Sequence, residues 1–192
     1  MRIILIVFII VFIYIFLFSN HNKFVFIENN LDGTRFLVQN DGNKEKTSKH
    51  LGELVRRMYI LRNYLSKNKD NYNEFKKYIN LLEKGFNSNR TTIYENKRNT
   101  DTTSYNVNKG EEMVFCLKDK KNNELHNINL LMYVAIHEMA HIACPEIGHG
   151  DLFQKIFKFL TEIAIKLKLY TKYDFSSKPV EYCGMRLTTS IV

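Results

Sequence analysis

With 192 residues, 45% of them hydrophobic, the chain holds enough apolar material for a folded core of one domain's size. Its three cysteines, Cys116, Cys144 and Cys183, are too few and odd in number for a disulfide framework, and leave one pair at most if the domain is extracytoplasmic. The net charge of +8 is uneven: residues 44–98 carry 14 Lys/Arg against 6 Asp/Glu, whereas residues 109–192 carry 11 against 10.

Residues 3–18 read IILIVFIIVFIYIFLF, uninterrupted by any charge. A buried core helix would show some polar face, and Leu17-Phe-Ser19 is a poor site for signal cleavage. The segment 1–20 is therefore expected to be an uncleaved, single-pass membrane anchor, with a cleaved signal sequence and a secreted or lumenal product as the alternative. Arg2 on one side, and Lys23 and Arg35 on the other, leave its direction open. Residues 21–192 are expected to form one domain.

Phe24–Ile27 and Arg35–Val38 are β-rich runs around Asn29-Asn30-Leu31-Asp32-Gly33, a hairpin or bend pattern. A helix is expected from Thr47 or Ser48, with Leu51, Leu54, Val55, Met58, Leu61 or Arg62, and Leu65 at helical spacing. A second should begin at Asp70, bury Tyr72, Phe75, Ile79 and Leu82, and stop at Gly85. Lysine-rich helices interleaved with Tyr59, Tyr64, Tyr72 and Tyr78 can be read as a nucleic-acid surface, or as amphipathic helices with solvated lysine faces. Tyrosines at helical spacing favour the second reading. Residues 91–94 and Met113–Leu117 read as strands, and the polar, Asn/Thr-rich stretch 95–110 between them as loop.

From Leu130 to Ala143 the chain reads LLMYVAIHEMAHIA, in which only His137, Glu138 and His141 are strongly polar apart from the Tyr133 hydroxyl. A helix apolar on nearly all sides is a buried helix, and two imidazoles and a carboxylate inside it need partners. The i, i+4 spacing puts both histidines on one face, where they can share a metal ion, and Glu138 can reach a metal-bound water without being a ligand. This H-E-x-x-H pattern is the zinc-hydrolase signature. The bland alternative is a pair of core histidines bonded to backbone with Glu138 turned to solvent.

A catalytic zinc usually has three protein ligands and an open fourth position. Pro145 should end the helix near Cys144, and Gly148 and Gly150 let the chain double back, which brings His149 to the open side. His149 is thus the expected third ligand. Cys144, Glu146 and Glu162 compete: the first is expected to pack at the helix end and the second to be solvated. Glu162 points away from the apolar face made by Phe153, Ile156, Phe157, Leu160, Ala164 and Leu167 on a helix over roughly 151–168. Tyr182 is a candidate donor to an oxyanion, and Met185 after Gly184 is expected to be buried.

HEMAH, then His149 and Phe153 in an H-x-x-x-F arrangement, resembles the small zincin metallopeptidases of the WLM and SprT-like type. The resemblance covers about residues 110–170, and the segment between His141 and His149 is longer than in the usual WLM pattern. It implies an α+β fold, a minimal zincin-like domain with a small sheet, a metal helix and a supporting C-terminal helix. It also implies zinc ligation by His137, His141 and His149, with Glu138 as general base. A strand upstream of the metal helix commonly pairs with extended substrate in zincins, and Met113–Leu117 can be read as such an edge or, equally, as an ordinary sheet strand. The reading is a membrane-anchored metallopeptidase with one catalytic Zn2+ and protein or peptide substrates. Its rivals are an amidase or deacylase, a non-catalytic zinc module with Cys144 as fourth ligand, and a DNA-associated protease using residues 44–98.

Overall fold

The computed structural model describes residues 23–29, 32–98 and 100–192, together with Ile9 and Val11. Strands β1 (Phe24–Glu28) and β2 (Arg35–Gln39) pair antiparallel, from Phe24 opposite Gln39 to Glu28 opposite Arg35. Helix α1 spans Lys44–Lys67 and buries Leu51, Leu54, Met58, Leu61 and Leu65 completely, the face its spacing foretells. It begins three residues earlier than Thr47.

The next helix does not start at Asp70. Two short 3₁₀ turns, Lys69–Asn71 and Asn73–Phe75, precede α2 (Lys76–Gly85). Asn68, Asp70, Asn71 and Asn73 are side chains that compete for backbone hydrogen bonds, and Asn68 Nδ2 does donate to the Tyr64 carbonyl at 2.7 Å. Tyr59, Tyr64, Tyr72 and Tyr78 are partly buried and pack against the core; Tyr59 stacks on Phe86 and Tyr72 meets Phe159 edge-on.

Three further strands complete a mixed sheet: β3 (Thr92–Glu95), β4 (Tyr105–Val107) and β5 (Glu112–Phe115), in the order β1-β2-β3-β5-β4. The β2/β3 and β3/β5 pairs are parallel, and β4/β5 is antiparallel. β4 falls within the stretch expected to be loop. Tyr105 and Val107 favour strand, but a run of three residues with Asn106 between them inside a polar Asn/Thr-rich stretch is too short to read, and the pairing with Val114, Met113 and Glu112 makes the strand. The expected substrate edge is also corrected: β5 is interior, hydrogen-bonded on both sides, and β4 is the edge strand beside it.

Helices α3 (Ile128–Ala143) and α4 (Asp151–Lys166) follow, giving an α+β architecture with four α-helices among the described residues. α1, α2 and α4 all pack on α3, and β4 touches it from the sheet side. That central position is why α3 is apolar almost all round. Strands β6 (Val180–Tyr182) and β7 (Met185–Leu187) form a separate two-stranded hairpin. A disulfide between Cys116, just after β5, and Cys183, in the hairpin turn, ties it to the sheet. The cysteine count left room for one pair at most; it could not say that the pair would be Cys116 and Cys183, separated by 67 residues and joined only by the fold. Cys144 is free and buried.

The membrane anchor expected over residues 3–18 is corrected. Among the described residues no helix is long and apolar enough to cross a membrane. Apart from Ile9 and Val11, that segment lies outside the described residues.

Candidate metal centre

α3 is started by Asn127, whose side chain accepts a hydrogen bond from the Asn129 backbone N–H. It ends at Ala143 because Cys144, ahead of Pro145, takes extended backbone angles (φ −82°, ψ 126°). Gly148 adopts φ +89°, a left-handed conformation that suits glycine, and the turn delivers His149 just ahead of α4.

The structure brings His137, His141 and His149 together. Their Nε2 atoms are 3.1 Å (His137 to His141), 3.0 Å (His141 to His149) and 3.1 Å (His137 to His149) apart. Imidazoles sharing one ion with bonds of about 2.0–2.1 Å in tetrahedral arrangement hold their nitrogens about 3.3 Å apart. The observed separations come within about 0.3 Å of that. Burial, reinforced by the neighbouring histidines, lowers the pKa of His137 to about 3 and that of His141 to about 4, so both are neutral at pH 7. Neutral imidazole is the form that ligates a metal, and three nitrogens converging on one point fit a divalent cation. Phe153, 1% exposed, packs its ring against all three imidazoles at centroid distances of 5.0, 4.3 and 4.8 Å. This contact gives the H-x-x-x-F spacing a physical role: it is the wall that sets the ring orientations.

Glu138 is buried, and the loss of hydration pushes its pKa up to about 7. Asn106 Nδ2, from edge strand β4, donates to Glu138 Oε2 at 2.8 Å and partly offsets that rise. A second buttress comes from the β4–β5 turn. Lys109 Nζ donates to three carbonyls, those of His141 (2.9 Å), Cys144 (2.7 Å) and Glu146 (3.0 Å). These include carbonyls that the end of α3 leaves without helical partners, so the ammonium caps α3 and holds the turn leading to His149. The turn reaches the helix because Gly85 and Gly110 touch: a Cβ on Gly110 would fall 2.5 Å from the Gly85 carbonyl oxygen.

Sequence reading missed Asn106 and Lys109. Asn-Lys-Gly at 108–110 is a turn signal, but nothing local says which helix the lysine will reach. The centre faces a cleft of about 710 Å³, walled by β4 residues Tyr105 and Asn106 and by the apolar side chains of Tyr133, Val134, Ile147 and Leu187.

The remaining candidates stand outside the histidine cluster, although Glu146, Tyr182 and Met185 line the same cleft. Glu146 and Glu162 are exposed, and Cys144 is buried outside the histidine cluster. Tyr182 is not an available oxyanion donor. Its hydroxyl donates to the Cys116 carbonyl at 3.0 Å and pairs with Ser104 Oγ, while burial raises its pKa. Met185 is 45% exposed at the cleft rather than buried.

No family model matches the chain. Crystal structures of Wss1 and of a Wss1 mutant from Saccharomyces cerevisiae cover 53% and 54% of this chain and 82% and 86% of theirs. Identity is 18% and 17%, with TM-scores of 0.38 and 0.36, too low a likeness to carry an argument. Uncharacterized protein 136R of Invertebrate iridescent virus 6 is 37% identical over 97 residues, 50% of this chain and 53% of that protein. Uncharacterized protein R325 of Acanthamoeba polyphaga mimivirus is 41% identical over 160 residues, 83% of this chain and 80% of the relative. By that identity and coverage, the chain belongs to the family of mimivirus protein R325.

Proposed function

We propose that the chain is a zinc-dependent metallopeptidase with a minimal zincin-like domain, His137, His141 and His149 as ligands and Glu138 as general base. The observation that carries this reading is the convergence of three imidazole nitrogens within 3.1 Å at the side of a cleft, with a buried carboxylate next to the first of them. Zinc, when bound there, supplies Lewis acidity for a carbonyl and a water acidic enough to lose its proton near neutral pH.

Glu138 takes the proton of the attacking water and delivers it to the leaving amine. Its raised proton affinity suits both halves of that task, and Asn106 fixes the carboxylate's orientation. The free edge of β4 offers backbone groups to an extended peptide, which favours a polypeptide over a small amide. Tyr133, Val134, Met185 and Leu187 line the same cleft and receive apolar side chains. A closed, purely structural zinc site is disfavoured because Cys144 stands outside the ligand cluster and His149 is exposed.

Glu138→Gln protein should keep its zinc and lose cleavage of a denatured protein substrate by about 10²–10⁴-fold. Cleavage at the wild-type rate would sink the mechanism. Turnover of small amides in place of peptides would move the assignment to the amidase or deacylase class.

A further inference from the structure

Three donor side chains outside the cleft cluster also converge. Cys116, Cys183 and His126 place two sulfurs and a ring nitrogen all within 4.8 Å of one another. His126 Nε2 lies 3.2 Å from Cys183 Sγ, and the three residues are 6%, 2% and 9% exposed. They come from three separate places in the chain: the end of β5, the segment before α3, and the turn of the β6–β7 hairpin. Cys183 holds φ +50°, an uncommon conformation for a residue other than glycine, beside Gly184 at φ +88°. A turn of this shape favours Asn or Gly, so placing the thiol against His126 overrides the local preference.

We propose that this cluster is a second metal site, for a soft d¹⁰ cation such as Zn2+ or Cu+, closed while Cys116 and Cys183 are disulfide-bonded and opened by their reduction. A dithiol reductant supplies two electrons and two protons. The Cys116–Cys183 bond breaks to two thiols, and the reductant leaves as its own disulfide. Metal binding then displaces both thiol protons to solvent, leaving two thiolates and one neutral imidazole as ligands. Two sulfurs and one nitrogen select soft ions, in contrast to the all-nitrogen set in the cleft. The coupling to the cleft is direct. The hairpin is not hydrogen-bonded to the five-stranded sheet as a strand, and it carries Tyr182, Met185 and Leu187 to the cleft wall. Disulfide and metal are alternative ties at its base.

The inference is independent of the proposed catalysis, and cobalt separates the two. The full chain is prepared oxidised and, in parallel, reduced with a phosphine that does not compete as a thiol ligand, and each form is titrated with Co2+. The oxidised form should take one equivalent without a sulfur-to-cobalt charge-transfer band. The reduced form should take two, with that band in the near ultraviolet. His126→Ala keeps both cysteines, folds with its disulfide, and after reduction should bind the second ion at least tenfold more weakly. A His137→Ala/His141→Ala double variant should lose one equivalent in both states and keep the band. One equivalent and no sulfur band in the reduced wild type would overturn the proposal, as would a reduced chain that stays unfolded by circular dichroism when metal is added.

Discussion

The two clusters of side chains that could hold a metal ion are built in opposite ways. His137, His141 and His149 lie within 13 consecutive residues, on one helix and the turn that follows it, and they face a cleft. Cys116, His126 and Cys183 span 67 residues of separation, are buried, and join a hairpin to a sheet. The first cluster follows from helical geometry, since i and i+4 share a face whatever surrounds the helix. The second exists only because β5 and the β6–β7 turn meet in space. A local site can be ligated in a largely unaltered fold, whereas the long-range one is part of what holds the fold together.

Reductant and acid should therefore act on different clusters. The largest effect is expected from deleting the covalent link: a Cys116→Ser/Cys183→Ser variant frees a loop of 67 residues and should lose about 4 kcal/mol of unfolding free energy. Urea titration of both proteins measures it; an equal midpoint would show that the hairpin stands without its tie. Acid comes second and addresses the histidines. The folded metal-free protein holds His137 and His141 well below the ordinary imidazole pKa of 6.5, so the unfolded chain binds more protons between about pH 6.5 and pH 4. Their contribution to stability is present above pH 6.5 and is lost as pH falls through that window. The metal-free protein should lose on the order of 2 kcal/mol by pH 5, after allowance for solvent screening. Melting temperature against pH reads it, and a flat profile would mean the imidazoles are not buried as described. The smallest effect is expected at Lys109. Lys109→Met leaves both clusters' donor atoms in place but frees the three carbonyls, and should weaken zinc binding about tenfold in a chelator competition. Lys109→Arg should recover part of that, and wild-type affinity in Lys109→Met would mean the turn holds His149 unaided.

Legibility in the sequence followed the same division. HEMAH carried its geometry in its spacing, Pro145 marked the helix end, and Phe153 took its place under the imidazoles at the spacing that resemblance implied. The buried faces of α1 and α2 were likewise readable, because helical periodicity is local. Asn106 was not, since the strand that positions it is only three residues long and is made by its partner β5. Lys109 was not, since its three acceptors lie more than 30 residues away. Tyr182 is a candidate oxyanion donor by sequence, and only the fold could show that Cys116 and Ser104 already hold its hydroxyl.

What the sequence determined by itself is the helix that carries His137 and His141, its terminus and the approach of His149, because each depends on backbone geometry over a turn or two. What only the tertiary structure decided is which groups brace that helix, which strand is the edge, and that Cys116 meets Cys183. Those depend on contacts between segments far apart in the chain, and no local propensity encodes them.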